Sequence, residues 1–467
     1  MFDFIRGRFS HQFNSFRQRW CQQRTLPFTD VLSADRVEAL LVEEGVEFRE
    51  NVFTPLVTLW TFLGQVFHPD HSCREAVARL IAFLVGQGQR PCAPGTGAYC
   101  EARQRLPERL LARLVRSSGD QLHARVPATS LQIAGYPVYV VDGTTVSMPD
   151  TPANQQAYPQ ARTQKPGVGF PIARLVALFS LASGAVLDMA VGKYRGKGTG
   201  EPSLLRQLLS RLQPDSVLLG DRYYCNYWTL AMLNNCGVHG VFRLHQRRPV
   251  DFRTGWRLGT DDHVVVWKRP PRPEWMTQTD YEQLAEELAI REIRFRVPQR
   301  GFRVREVIVA TTLLDPREAP ARQLAQLFRA RWHAELHLRS LKVVLGMDVL
   351  RCKTPEMVRK ELWMHLLVYN LVRELLAQAA EHVGLEPHEL SFKGALQTLN
   401  RFQELLTLTS ADRWPELFHE LLQAVGAHRV ADRPDRYEPR AVKRRPKCAA
   451  LLNVPRNVAR KRLLHAA

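Results

Sequence analysis

No apolar run in this 467-residue chain reaches the roughly 20 positions that a membrane-spanning helix needs. The nearest approach, over residues 366–380, is interrupted by Asn370, Arg373 and Glu374. The opening stretch MFDFIRGRFSHQ has no apolar signal-peptide core, so a soluble, intracellular protein is expected. Cysteine is sparse and unpatterned. None of the eight (Cys21, Cys73, Cys92, Cys100, Cys225, Cys236, Cys352 and Cys448) stands in a C-x-x-C pair, and no Cys/His set has zinc-finger spacing. A disulfide scaffold and a structural zinc are set aside, and free thiols in a reducing cytoplasm are expected. There is no internal repeat. With 45% hydrophobic residues, 29 Pro and 27 Gly, the composition also excludes a collagen-like or mostly disordered polymer.

Lysine is scarce as well, only 11 of the 65 Lys and Arg residues, so the positive charge is carried by guanidinium groups. Against 46 Asp and Glu they leave a formal net charge of +19 and a pI near 9.9. Arg forks phosphate oxygens and stacks on bases, so this balance suits a polyanion such as nucleic acid. A GC-rich genome explains a high Arg/Lys ratio, but it explains the net charge less easily.

Length and texture divide the chain into five stretches. Residues 1–128 carry helical periodicity, with helices expected around 36–44, 74–84 and 98–118, and read as a small helical domain. Residues 129–246 alternate three strands, a helix, a strand, a helix and a strand, a mixed α/β layer. Residues 247–305 are irregular, basic and β-tending, contain Trp256, Trp267 and Trp275, and read as an insertion. Residues 306–385 return with a strand and a long helix over about 320–345 closed by Gly346, followed by more helix. Residues 386–467 are a helical region with a basic tail; 433–467 hold 11 Lys or Arg against 2 Asp or Glu.

Three acids stand where chemistry is expected. Asp142 and Asp221 each follow a short apolar strand, at the carboxyl ends where open α/β sheets place their sites. Glu335 lies on the long helix, sharing one face with Phe328, Arg331 and Lys342 at helical spacing. A carboxylate between two cations suits an acid that holds a metal while its neighbours hold phosphate. Three carboxylates without His or Cys suit Mg²⁺ or Mn²⁺. Two such ions about 4 Å apart would activate the attacking group and stabilise the leaving oxygen of a phosphodiester. The plainer alternatives are a turn or cap role for each Asp and a solvated salt-bridge face for the helix. His333-Ala-Glu335-Leu-His337 has the wrong order for a zinc-protease motif. Asp150, Asp188, Glu201, Asp215 and Asp348 read as turn, cap or surface acids.

Taken together these segments resemble the IS4 family of DDE transposases. Phe328-x2-Arg331-x3-Glu335-x6-Lys342 is similar to that family's Y-(2)-R-(3)-E-(6)-K signature, with Phe in place of Tyr. Val140-Val-Asp142-Gly-Thr-Thr resembles its first acidic motif and Gly220-Asp221-Arg222-Tyr-Tyr its second. Gly196-Lys-Gly-Thr-Gly-Glu201, Thr312-Leu-Leu-Asp315 and the tail segment 437–447 also match, in the right order over about 136–462. The resemblance implies an RNase H-like core carrying Asp142, Asp221 and Glu335 as a triad for Mg²⁺ or Mn²⁺, two ions in all. It implies a β-rich insertion before the third acid, and a cut-and-paste DNA transposase of an insertion sequence. Its partners would be double-stranded DNA, at the terminal inverted repeats and at the target, and a second copy in a dimeric synaptic complex. A nucleoid-associated, cytoplasmic bacterial protein is implied, with no membrane role. Phe328, Arg331 and Lys342 would contact the transposon end. Arg222, one insertion Trp such as Trp267, and Lys443, Arg444 and Arg445 of the tail are further DNA contacts. Two rivals remain: a non-catalytic DNA-binding relative, domesticated or inhibitory, and a structure-specific nuclease on the same core.

Overall fold

The computed structural model describes residues 32, 34–46, 51–86, 88–125, 131–296, 306–431 and 450–466. Its centre is a nine-stranded mixed sheet in the order β3-β2-β1-β4-β5-β9-β8-β7-β6. The strands are β1 (Val138–Ser147), β2 (Ile172–Ser180), β3 (Val186–Lys193), β4 (Ser216–Gly220), β5 (Val238–Arg243), β6 (Trp256–Gly259), β7 (Asp262–Lys268), β8 (Glu287–Arg296) and β9 (Glu306–Thr311). Only β1–β4 and β4–β5 are parallel; every other pair is antiparallel. The strands of the insertion therefore extend the central sheet through the β8–β9 pairing.

Helices cover both faces, because the strands alternate between two apolar clusters. Tyr139, Val141, Leu218 and Phe242 point to one side, where Leu204, Leu205, Leu208 and Leu230 cover them. Val138, Val140, Val217 and Leu219 point to the other, under Leu324, Leu327, Ala330 and Ala334. Beside these, Pro355–Val383 is apolar almost all round and buried among other helices, as such a sequence must be. Thr354 caps it by accepting from the Met357 N–H, and Pro355 occupies its first turn. The apolar residues of Pro55–Phe67, Glu108–Arg125, Phe392–Leu408 and Trp414–Gly426 join the same core. A smaller cluster of Phe53, Ala76, Val77, Tyr99 and Ala102 sits at the N-terminal side.

The polar breaks in the central helix are anchors. The Asn370 amide donates to the carbonyls of Val186 (2.8 Å) and Val115 (3.2 Å), and its oxygen accepts from the Val186 N–H. Arg373 donates to the Ser183 carbonyl, and Glu374 pairs with Arg125. Satisfied in this way, these groups tie helix Glu108–Arg125 to the sheet through the interior. Among the described residues no helix is long and apolar enough to cross a membrane.

Several elements differ from the sequence expectation. The helix expected over 98–118 is two, Gly97–Arg105 and Glu108–Arg125, divided at Pro107, which cannot donate to the preceding turn. The helix expected over 320–345 is Ala321–Ala330, Trp332–Arg339 and a π turn over Ser340–Val344. Around Arg331 the bonds tighten to i→i−3 (Arg331 N–H to Phe328, Ala334 N–H to Arg331), whereas Leu345 N–H reaches back five residues to Ser340. Gly346, at φ +70°, ends the run. Such mid-helix irregularities concentrate at functional sites.

Candidate active site

Register places two of the acids. The last parallel pairs of β1 and β4 are Tyr139–Leu218 and Val140–Leu219, so Asp142 and Asp221 each lie two residues beyond Val140 and Leu219. Two residues preserve the face along a strand, so Asp142 leaves the sheet on the side of Val140, and Asp221, the residue after β4, follows Leu219 by the same two-residue step. Asp142 is not the end of its strand, as the sequence suggested. β1 continues to Ser147 because β2 pairs with it throughout, and the chain bends away only on the β4 side. Asp221 does follow the end of β4.

The third acid arrives on the helix above. Ala334 and Leu338 are buried against the sheet and core, and Glu335 stands beside them, half-buried. Its carboxylate accepts from Arg331 at 2.8 Å, one helical turn back. Phe328 packs at the edge of the same apolar cluster with Arg331 over its ring at 5.9 Å. Lys342 falls on the π turn, half-buried and without an ion pair among the described residues. Phe328, Arg331, Glu335 and Lys342 thus share the short broken helix that the sequence motif spans.

Burial pushes the Asp142 carboxyl up to about 6. The Gly143 N–H (2.8 Å) and the Arg331 charge oppose the rise, and the carboxylates of Glu201 and Glu335 reinforce it. Asp221 accepts from the Arg222 N–H at 2.6 Å. The Arg222 guanidinium turns instead to Gln246 (3.1 Å) and lies near the exposed Tyr223 ring. Among the described residues no three His, Cys, Asp or Glu side chains close around a point that would hold an ion. Glu335 is turned towards Arg331. The donor set still suits a hard divalent cation, because around Asp142 the carboxylates of Glu201 and Glu335 gather with the Arg331 guanidinium.

Two expectations change. Trp267 is 3% exposed, donates to Glu292 (3.2 Å) and lies under Arg248 at 3.5 Å. As an inward residue of β7 it belongs to the core and offers no face to a base; Trp256, 75% exposed on β6, and Trp275, 44% exposed beneath Arg206, are the open ones. Glu201, read as a cap or surface acid, does begin helix Glu201–Leu205, but its carboxyl group lies against Gly143, next to Asp142. The motif Gly196–Glu201 carries that signal in the sequence. Lys443, Arg444 and Arg445 lie outside the described residues.

The chain is similar to known proteins. Residues 133–371 match the family described as the transposase DDE domain. The transposase InsG for insertion sequence element IS4 of Escherichia coli (strain K12) is 28% identical over 426 residues, covering 89% of this chain and 91% of that protein. The putative transposase InsZ of the same strain is 28% identical over 147 residues, 30% of this chain and 46% of that one. A cryo-EM structure of a piggyBac transposase synaptic complex with hairpin DNA gives a TM-score of 0.41 at 8% identity, over 87% of this chain and 84% of that one. The family domain spans β1, β4 and the signature helix, the three elements that carry the acids, and the chain belongs to the IS4 family of DDE transposases.

Proposed function

We propose that this transposase moves an insertion sequence by cut-and-paste chemistry, with Asp142, Asp221 and Glu335 as its metal-binding triad. The observation that supports this is the β1–β4 register, under which Asp142 and Asp221 each follow the last parallel pair by two residues, beneath the helix that carries Glu335. Strand order 3-2-1-4-5 with β1, β4 and β5 parallel supports an RNase H-like core over 129–246 and 306–385, interrupted by the segment 247–305. Membership of a DDE family supports divalent-metal use; the oxygen donors favour two Mg²⁺ or Mn²⁺ ions. When bound, these would lower the pKa of an attacking water or 3′-hydroxyl and stabilise the leaving oxygen.

The protein's own residues do the rest. Arg331 and Lys342 flank the acid and bind phosphates at the transposon end, and Phe328 packs beside them. A phosphate on Arg331 frees the Glu335 carboxylate from its ion pair, so end binding and completion of the triad go together. Arg222, whose N–H holds Asp221, reaches outward to a backbone phosphate. The helices of residues 1–128 recognise the terminal inverted repeats, and the region 386–467, with Lys443, Arg444 and Arg445, adds phosphate contacts. Two ends must be brought together, so a homodimer synapses them and joins them to target DNA, in the bacterial cytoplasm at the nucleoid.

The test is excision of a reporter cassette bounded by the gene's own flanking DNA, comparing wild type with Glu335→Gln. Excision by wild type alone supports the reading; excision by both removes Glu335 from the triad.

A further inference from the structure

We infer that Glu201 is a fourth carboxylate of this centre, directed at the same divalent cation as the triad and held there by Gly143 and Tyr224; the inference rests on the metal-site reading above.

Glu201 reaches the site from the opposite side of the sheet. Leu204, Leu205 and Leu208 of its helical segment pack on the Tyr139 and Val141 face, whereas Asp142 leaves on the other. A side chain at residue 143 would point towards that helix. Gly143 has none, and the Glu201 carboxyl group fills the vacant place. A Cβ built on Gly143 would stand 2.4 Å from Cδ and 2.7 Å from Oε1 of Glu201. The carboxylate is thus brought up against the backbone next to Asp142, close enough for the two charges to act on each other.

An independent feature marks the same spot. Tyr224, three residues beyond Asp221, is completely buried, and no hydrogen bond of ordinary geometry closes on its hydroxyl, although Glu201 is the acceptor it faces. Its neighbours are the carboxylates of Glu201, Asp142 and Asp221, which, after burial itself, push the phenol far up. A buried donor aimed at Glu201 from the second acidic loop fixes where that carboxylate stands once the site is charged. Glu201 has no cation partner among the described residues, so its negative charge is left for an added one. A plain helix-start acid would need neither the glycine nor the tyrosine.

Binding of Mn²⁺ to the full-length protein, followed by the EPR signal of the free ion, separates the possibilities, with thermal melting in EDTA alongside. Asp142→Asn is the reference and should lose the site. Glu201→Gln should bind about tenfold more weakly than wild type, yet melt in EDTA no lower than wild type, since an uncompensated charge has been removed. Gly143→Ala, which fills the carboxylate's place, should weaken Mn²⁺ in the same direction. Wild-type affinity in Glu201→Gln, with binding lost in Asp142→Asn, overturns this inference and leaves the triad standing. Wild-type affinity in Asp142→Asn, or no Mn²⁺ binding by the wild type, overturns both. A Glu201→Gln protein that melts lower in EDTA with unchanged Mn²⁺ affinity makes Glu201 a helix-start residue and nothing more.

Discussion

Asp142 and Asp188 are both strand acids of one sheet, a few strands apart, and they are treated in opposite ways. Asp188 on β3 is 2% exposed, yet it is fully answered. Arg116 donates to it at 2.9 Å, Arg211 approaches to 3.6 Å, and the Met189 N–H adds a bond at 2.8 Å. Asp142 is less buried, but among the described residues its hydrogen bond is from the Gly143 N–H; the nearby Arg331 is paired with Glu335, and two further carboxylates act on it as well. A fold that wanted only stability would pair the second acid directly with a cation as it did the first. The difference separates an acid that holds the structure together from one kept available, and burial alone does not separate them.

Substitution should give opposite readouts at the two places. The largest effect is expected at the open cluster. Asp142→Ala, Asp221→Ala and Glu335→Gln should each lower strand cleavage by about 10³-fold or more, as loss of a metal-centred term does, with melting temperatures at or above wild type and end binding still measurable in a gel shift. Asp188→Ala should do the reverse. It strands Arg116, whereas Arg211 keeps its bonds to Asp120, and the half-exposed Arg116 guanidinium limits the cost to about 2 kcal/mol in a urea midpoint. Cleavage per folded molecule should be unchanged. If Asp188→Ala instead leaves stability intact and stops cleavage, the contrast fails.

The pH dependence sharpens it. The Asp142 carboxyl titrates near 6 in the folded chain, above its ordinary range. Between about pH 4 and 6 the folded state therefore holds the proton more tightly than the unfolded one. Stability falls as pH rises through that window and stays lower above it. In metal-free buffer, Asp142→Asn should be more stable than wild type at pH 7 by about 1–2 kcal/mol and indistinguishable from it at pH 4, by denaturant midpoints at both values. The smallest effect belongs to Trp256, exposed on the edge strand β6. Trp256→Ala should change stability by less than about 0.5 kcal/mol, whereas Trp267→Ala should cost about 3 kcal/mol or more, from loss of a buried ring.

What the sequence disclosed and what it hid follow a physical line. Local patterns were legible. The strand–helix alternation over 136–245 is carried by buried apolar runs, and the helix spacing of Phe328, Arg331, Glu335 and Lys342 holds through two small irregularities. Contacts made only by tertiary packing were not legible. Gly-Thr-Thr after Asp142 reads as a turn, yet β2 pairs with it as strand. Trp267 and Trp256 are alike in sequence, and their fates are set by which face of β7 or β6 meets the core. Glu201 reaches Asp142 only through the gap left by a missing side chain on a different strand, which no spacing along the chain can announce. Asp188 reads as a surface acid because its two arginines come from a helix 72 residues earlier and a turn after β3.

The two-residue offset of Asp142 and Asp221 beyond the last β1–β4 pair also governs how this chain can tolerate change. Side chains alternate along a strand, so one inserted or deleted residue between Val138 and Asp142, or between Val217 and Asp221, would turn an acid to the far side of the sheet while leaving much of the apolar pattern able to pair again. Such a lineage would keep a folded, DNA-binding protein and lose its chemistry in a single step. The outer strands β6 and β7 carry no such phase relation to the acids. Length can therefore drift at that edge of the sheet, while the spacing within β1 and β4 must be inherited intact.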